Sequence, residues 1–265
     1  MQQHSDQQTA DPAICGIAVM AKASAPGRAK TRLVPPLTFE EAADFNTTFL
    51  KDVAHNIDLA AEMRSIGGYM AFGPPGSNAF FEGILPPSIG LLDCWYPDFG
   101  DCLFSAIRQL LGRGHTGAVV LNSDSPTLPT SLLVETADVL ARPGDRAVLG
   151  PSTDGGYYLL GLKAPHRRLF EEVTWSTEHV ARQTLERAVE IGLDVHVLPA
   201  WYDVDDSEAL RMLRAELYDG WSFAPRLNAH RAMHSEKLMR TLLSHSDLAR
   251  RLDGAVAPRL VNAAE

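Results

Sequence analysis

Ile17-Ala18-Val19-Met20-Ala21-Lys22 runs directly into Ala23-Ser24-Ala25-Pro26-Gly27-Arg28-Ala29-Lys30-Thr31-Arg32-Leu33. The first six residues form an apolar run of strand length, and the Pro and Gly that follow turn the chain. Four cations, Lys22, Arg28, Lys30 and Arg32, then fall within 11 residues. A basic, glycine-containing loop behind a strand outlines an anion site, because loop N–H groups and cationic side chains together offset the charge of a phosphate. A solvated basic turn is the alternative reading of the same residues. The loop is not a Walker A motif, since Ser24 and Ala29 stand where that motif needs glycines, and the chain has no G-x-G-x-x-G fingerprint.

Outward from this loop, strands and helices alternate. The first strand is expected over about residues 14–21. Thr38-x-x-Glu41 is a capping box, opening a helix whose apolar positions Ala42, Phe45, Phe49, Val53 and Ile57 step by three or four. Further strands are expected near residues 68–72, 89–94, 117–121, 147–150 and 195–198. Helices are expected near 101–111 and 130–140, after Trp175-Ser176-Thr177, and over 208–217. Gly73-Pro74-Pro75-Gly76 breaks the second strand. Strands alternating with helices of this length predict an α/β fold with a mostly parallel central sheet flanked by helices. The expected organisation is a disordered leader over 1–12, a catalytic domain over 13–219, and a helical C-terminal extension over 220–265. The extension is expected to pack on the domain or to serve in a homodimer.

Composition sets outer bounds. An apolar fraction of 45% and a charged fraction of 22% are those of an ordinary globular protein. A net charge of −9 argues against nucleic acid as a partner. Cys15, Cys94 and Cys102 are odd in number and lack CxxC spacing, so no disulfide framework or zinc knuckle is indicated. With no signal-peptide pattern and no apolar run of membrane-spanning length, a cytoplasmic location is expected.

In open α/β sheets ligands bind beyond the carboxyl ends of the strands. Four polar clusters follow expected strands: the basic loop, Asn122 to Ser125, Asp154 to Tyr158, and Asp203 to Asp206. Cations and carboxylates meeting at one sheet edge suit a metal–diphosphate complex, in which Mg²⁺ or Mn²⁺ takes one or two carboxylates and phosphate oxygens fill other positions. Asp124 and Asp205 also read as plain turn or cap residues. Gly155-Gly156 reads as a turn or as a place where substrate approaches the backbone. No G-x-S-x-G or HExxH motif is present, and the nine histidines are scattered.

Taken in order, Lys22 to Leu33, Asn122-Ser123-Asp124-Ser125-Pro126, Gly150 to Leu159, Trp175-Ser176-Thr177 and Tyr202-Asp203-Val204-Asp205 resemble the DUF2064 family of bacterial GT-A-like proteins. That family is often labelled glycosyltransferase-like and includes members associated with arsenosugar biosynthesis. The first loop is also similar to that of phospholactate guanylyltransferases, relatives within the nucleotide-diphospho-sugar transferase superfamily. The resemblance spans about residues 14–217 and implies a Rossmann-like GT-A fold with a nucleotide in the N-terminal half. It implies Asp124 and Asp205 as ligands of Mg²⁺ or Mn²⁺. It implies Gly27, Arg28, Lys30 and Arg32, with Lys22 beside them, as the nucleotide and phosphate grip. Asp154, Gly155, Gly156 and Tyr157, with Trp175 and Ser176, fall on the acceptor side. One departure stands out: the Gln-Gly-x-x-Leu-Gly-x-Arg-Met type segment of the family is replaced by Pro97-Asp98-Phe99-Gly100-Asp101-Cys102-Leu103-Phe104.

The implied activity is metal-dependent transfer of a sugar from a nucleotide-diphospho-sugar to a small-molecule acceptor, with Asp154 as the acceptor's base and Lys30 neutralising charge. The same parts serve a nucleotidyltransferase that joins an NTP to a phosphorylated small molecule with release of pyrophosphate. A non-catalytic nucleotide-binding protein is a third reading.

Overall fold

The computed structural model describes residues 15–254. The leader expected over 1–12 lies outside them. Strand β1 (Cys15–Lys22) is the apolar run quoted above. It pairs in parallel with β2 (Ile66–Gly73) on one side and with β4 (Gly117–Leu121) on the other. Every residue of β4 is buried, as a continuous apolar run covered on both faces requires. Strand β3 (Gly90–Asp93) adds in parallel to β2. Strands β5 (Ala147–Pro151), β6 (Tyr157–Leu162) and β7 (Val195–Val197) complete a seven-stranded sheet of order β3-β2-β1-β4-β6-β5-β7. Only the pairings of β6 are antiparallel.

Strand β6 is a departure from the sequence expectation, which places no strand between residues 150 and 195 and reads Tyr157 as the end of the acceptor-side motif Asp154 to Tyr157. Residues 152–156 form a short return from β5, so the apolar run behind them turns back and fits between β5 and β4, with Leu160 facing both Val120 and Leu149. A short helix, α2 (Asn78–Ile84), was not expected either. It buries Phe81 behind the Pro-Gly break.

Alternation along the strands sends side chains to two apolar layers. Ile17 and Val19 face one layer with α1 (Phe39–Met63), α4 (Thr130–Ala141) and α6 (Ser207–Tyr218). Ala18 and Val120 face the other with α3 (Phe99–Gly112) and α5 (Val180–Glu190). The capping box that opens α1 forms in both directions: Glu41 N–H donates to Thr38 Oγ1 at 3.2 Å, and Thr38 N–H donates to Glu41 Oε2 at 2.8 Å.

Beyond residue 220, α7 (Met233–His245) and α8 (Leu248–Gly254) pack on the α1 side of the sheet. Asp52 of α1 is fully buried and accepts from the backbone N–H groups of His234 and Ser235, both at 2.8 Å, and from Ser235 Oγ at 2.6 Å. It thereby satisfies the orphan donors at the start of α7. Arg251 of α8 grips Glu41 with two bonds of 2.7 and 2.8 Å and also donates to the Pro36 carbonyl. The His230 ring meets the Pro126 carbonyl at 2.8 Å and His55 Nδ1 at 3.0 Å. Burial holds its pKa down at about 4. Among the described residues, no helix is long and apolar enough to cross a membrane.

Candidate active site

Because β1, β4, β5 and β7 run the same way, their following segments gather at one sheet edge. The segment after β7 is laced to that edge by its backbone. Trp201 N–H donates to the Pro151 carbonyl at 3.1 Å, Thr153 N–H to the Trp201 carbonyl at 3.2 Å, and Val204 N–H to the Asp124 carbonyl at 2.8 Å. Side chains add to this, with Ser125 Oγ donating to the Tyr202 carbonyl at 2.9 Å. Tyr202 itself donates to Glu216 at 2.7 Å. The last of the backbone bonds sets Asp205 next to Asp124, across a long span of intervening chain.

Lys30 closes the arrangement. Its ammonium lies 2.8 Å from Asp124 Oδ1, 2.6 Å from Asp205 Oδ1 and 3.0 Å from the Val204 carbonyl, with only 5% of its side chain exposed. The same ammonium lies over the Phe49 ring, 5.4 Å from its centre. Burial alone would lower the Lys30 pKa, but the Asp124 and Asp205 carboxylates outweigh it and raise the pKa above the ordinary lysine value. Lys30 sits in the left-handed region at φ 52°, and Gly27 at φ 72°. The glycine supplies that second conformation without strain.

The start of the loop is clamped from α1. Asn46 Nδ2 donates to the Lys22 carbonyl at 3.2 Å and to Ser24 Oγ at 2.8 Å, and Thr47 Oγ1 donates to the same oxygen at 2.8 Å. Arg28 and Arg32 are exposed on the outer side of the loop, and neither forms an ion pair among the described residues. Lys22 is exposed at the end of β1 with its ammonium 6.0 Å from the centre of the Trp95 ring. That indole lies against Gly73, where a Cβ would meet the ring at 1.9 Å.

Asp203 belongs with this group, although the sequence reading singled out only its neighbour. Burial, followed by the charges of Asp154, Asp205 and Asp124, pushes its pKa up to about 7. Four carboxylates therefore share the edge with one buried ammonium. The signal for Asp203 was its place two residues before Asp205 in an extended segment, which is the spacing that returns a side chain to the same face.

The acceptor-side residues are placed less uniformly. Asp154 is exposed and accepts from Gly156 N–H at 2.8 Å. Gly155, at φ 90°, is packed against the chain itself, since a Cβ there would lie 2.2 Å from the Glu178 carbonyl. Its missing side chain makes room for the segment before α5, which corrects the reading of an open approach for substrate. The Tyr157 hydroxyl is buried without a hydrogen-bond partner, and its ring packs into the α3/α5 layer, so it is not an open contact at the edge. Trp175 is half-buried in the same layer, edge-on to Phe99 at 5.5 Å between ring centres. Ser176 is exposed at φ 63°.

The carboxylates are hard oxygen donors already arranged around a cation, so their chemistry fits Mg²⁺ or Mn²⁺. Among the described residues no three acidic, His or Cys side chains stand close enough to hold a metal. The fit is thus to an ion held by two carboxylates and completed by substrate oxygens.

Residues 56–177 match the DUF2064 family, described as "Uncharacterized protein conserved in bacteria". The DUF2064 segment holds Asp124, Asp154 to Tyr157, Trp175 and Ser176, and leaves the basic loop, Asp203 and Asp205 outside it. No curated protein matches the chain. Solved structures do. A protein from Desulfovibrio desulfuricans G20, described as a "putative nucleotide-diphospho-sugar transferase", superposes with a TM-score of 0.73 at 24% identity, over 90% of this chain and 97% of that one. A cytidylyltransferase from Leptospira borgpetersenii serovar Hardjo-bovis gives a TM-score of 0.52 at 11% identity, over 89% of this chain and 96% of that one. A CMP:2-keto-3-deoxy-manno-octonic acid synthetase complexed with CTP gives 0.50 at 11% identity, over 78% and 99%. These likenesses show that the chain shares the α/β fold of these proteins.

Proposed function

We propose that the chain is a metal-dependent glycosyltransferase-like enzyme that moves a sugar from a nucleotide-diphospho-sugar to a small-molecule acceptor. The observation that carries this reading is the meeting of Asp124 and Asp205 at Lys30, 2.8 and 2.6 Å from its ammonium, beside an exposed loop bearing Arg28 and Arg32. Asp124 and Asp205 would hold a divalent ion, which would supply positive charge for a departing nucleoside diphosphate. Arg28 and Arg32 bind phosphate oxygens from the outer side, helped by the loop backbone around Gly27. The Trp95 face, with Lys22 beside it, offers the donor's base a flat surface next to its phosphates. Asp154 takes the proton of the acceptor hydroxyl. Gly155, Gly156, Tyr157, Trp175 and Ser176 shape the wall on the acceptor side without all touching the acceptor.

Nucleotidyl transfer is the second reading. It is favoured by the number of cations, because Lys22 at the end of β1 and Arg28 and Arg32 on the loop behind it are all exposed and suit a triphosphate better than a diphosphate. A thermal-shift panel with Mn²⁺ separates the two, since stabilisation follows differential binding to the folded state. The glycosyltransferase reading predicts shifts with one class of UDP-, GDP-, CDP- or ADP-sugar. A shift with nucleoside triphosphates only, together with pyrophosphate release when a phosphorylated acceptor is added, would replace it by the second.

A further inference from the structure

The position of Lys30 does not match the duty a phosphate loop would give it. An ammonium has three donors, and those of Lys30 already have three acceptors: Asp124, Asp205 and the Val204 carbonyl, at 2.8, 2.6 and 3.0 Å. The group is also buried, whereas Arg28 and Arg32 on the same loop are exposed. In this arrangement it has nothing left to give a phosphate. It also stands where the proposed metal must stand. An ion shared by Asp124 and Asp205 competes with the ammonium that already lies between their Oδ1 atoms, and two cations so close repel each other.

We propose that Lys30 is a built-in counter-ion, holding the Asp124–Asp205 pair while the metal is absent and yielding the cleft only when metal and diphosphate arrive together. This rests on the metal reading above and deepens it to an order of binding. The exchange balances in charge. The divalent ion takes over the two carboxylates, and the released ammonium takes the phosphate oxygens that enter with the ion. A metal arriving alone brings no such partner, so it would leave a buried ammonium with the Val204 carbonyl and no counter-charge, and its binding is weak. The backbone at Lys30 is an isolated left-handed residue between buried Ala29 and the short helical turn that starts at the exposed Thr31. Such a site permits the side chain to swing without breaking a long helix or a strand.

The test titrates Mn²⁺ alone, by calorimetry, into the wild-type chain and into Lys30→Met, with near-ultraviolet circular dichroism confirming the fold of each. The expected result is binding about tenfold tighter in Lys30→Met, because the competing charge is gone. Equal or weaker binding in Lys30→Met overturns the proposal and makes the lysine a permanent strut. Asp124→Asn combined with Asp205→Asn, in the Lys30→Met background, separates this from failure of the metal reading itself. If that triple variant still binds Mn²⁺ as tightly as Lys30→Met, the ion is elsewhere. Should Lys30→Met not fold, nitrogen NMR of the wild-type lysine ammonium groups decides the matter. The buried, exchange-protected signal is expected to persist with Mg²⁺ alone and to be lost or shifted with Mg²⁺ and pyrophosphate; persistence in both overturns the proposal.

Discussion

Two places in this molecule hold acidic side chains away from full solvent, and they are built in opposite ways. At the junction of α1 and α7, Asp52 is fully buried and receives two backbone N–H groups and one hydroxyl, all at fixed positions. At the sheet edge, Asp124 and Asp205 are partly exposed and share one flexible lysine as their cation, with Asp154 and Asp203 nearby unneutralised by it. Donors that cannot leave make a carboxylate part of the frame. A donor that can leave, set among surplus negative charge, makes a carboxylate available to a ligand. The C-terminal helices are therefore tied to α1 by the first kind of contact, and the candidate active site is assembled by the second.

The sharpest way to break this comparison is to remove Asp52. Asp52→Ala is expected to cost about 3 kcal/mol, since it strips the start of α7 of its acceptors and leaves buried N–H groups unpaired. Urea denaturation measures the loss, and Mn²⁺-dependent nucleotide binding by the remaining folded protein is expected to stay intact. A loss below experimental error would remove the structural role assigned to Asp52.

The same junction carries a pH dependence. His230 is held neutral by burial with a pKa near 4, against 6.5 when unfolded. The unfolded chain therefore takes up the proton first. The contribution of His230 is fully present above pH 6.5 and is lost progressively as pH falls to about 4, amounting to roughly 3 kcal/mol. Denaturation at about pH 7 and about pH 4.5 should show a slope that flattens in His230→Asn.

Arg251→Gln gives a smaller effect. Its two bonds reach a Glu41 that is largely buried while Arg251 stays partly exposed, so about 1–2 kcal/mol is expected from a denaturation curve. Asp205→Asn should change stability least, by under about 0.5 kcal/mol, because Lys30 keeps Asp124 and the Val204 carbonyl and one repulsive charge is gone. That variant is nonetheless expected to lose metal-dependent nucleotide binding. A stability loss in Asp205→Asn as large as that in Asp52→Ala would erase the distinction between the two regions.

The sheet was legible where burial is complete and the period plain. Gly117–Leu121 was delimited to the residue, and the capping box at Thr38 announced α1. Strand β6 escaped because the Asp-Gly-Gly-Tyr pattern runs straight into its first residue, Tyr157, and a motif drew the reading away from an apolar run of strand length. The site was legible in part. Polar clusters behind strands marked the edge, but the closeness of Asp205 to Asp124 depends on a Val204-to-Asp124 backbone bond that no local pattern encodes. The inward turn of Lys30 depends on a left-handed backbone at a non-glycine residue, which sequence alone does not announce. Gly155 reads from the sequence either as a turn or as a substrate contact, and it makes room for Glu178, since only tertiary packing tells the two apart.

The central claim is that Asp124 and Asp205 bind a nucleotide's diphosphate through a divalent ion. Its most direct test is calorimetric titration of the donor nucleoside diphosphate into the wild-type chain, once in Mn²⁺ and once in EDTA, repeated with Asp124→Asn combined with Asp205→Asn. The account predicts wild-type affinity at least about tenfold greater in Mn²⁺ and no such difference in the double variant. The same Mn²⁺ dependence in both proteins would contradict it.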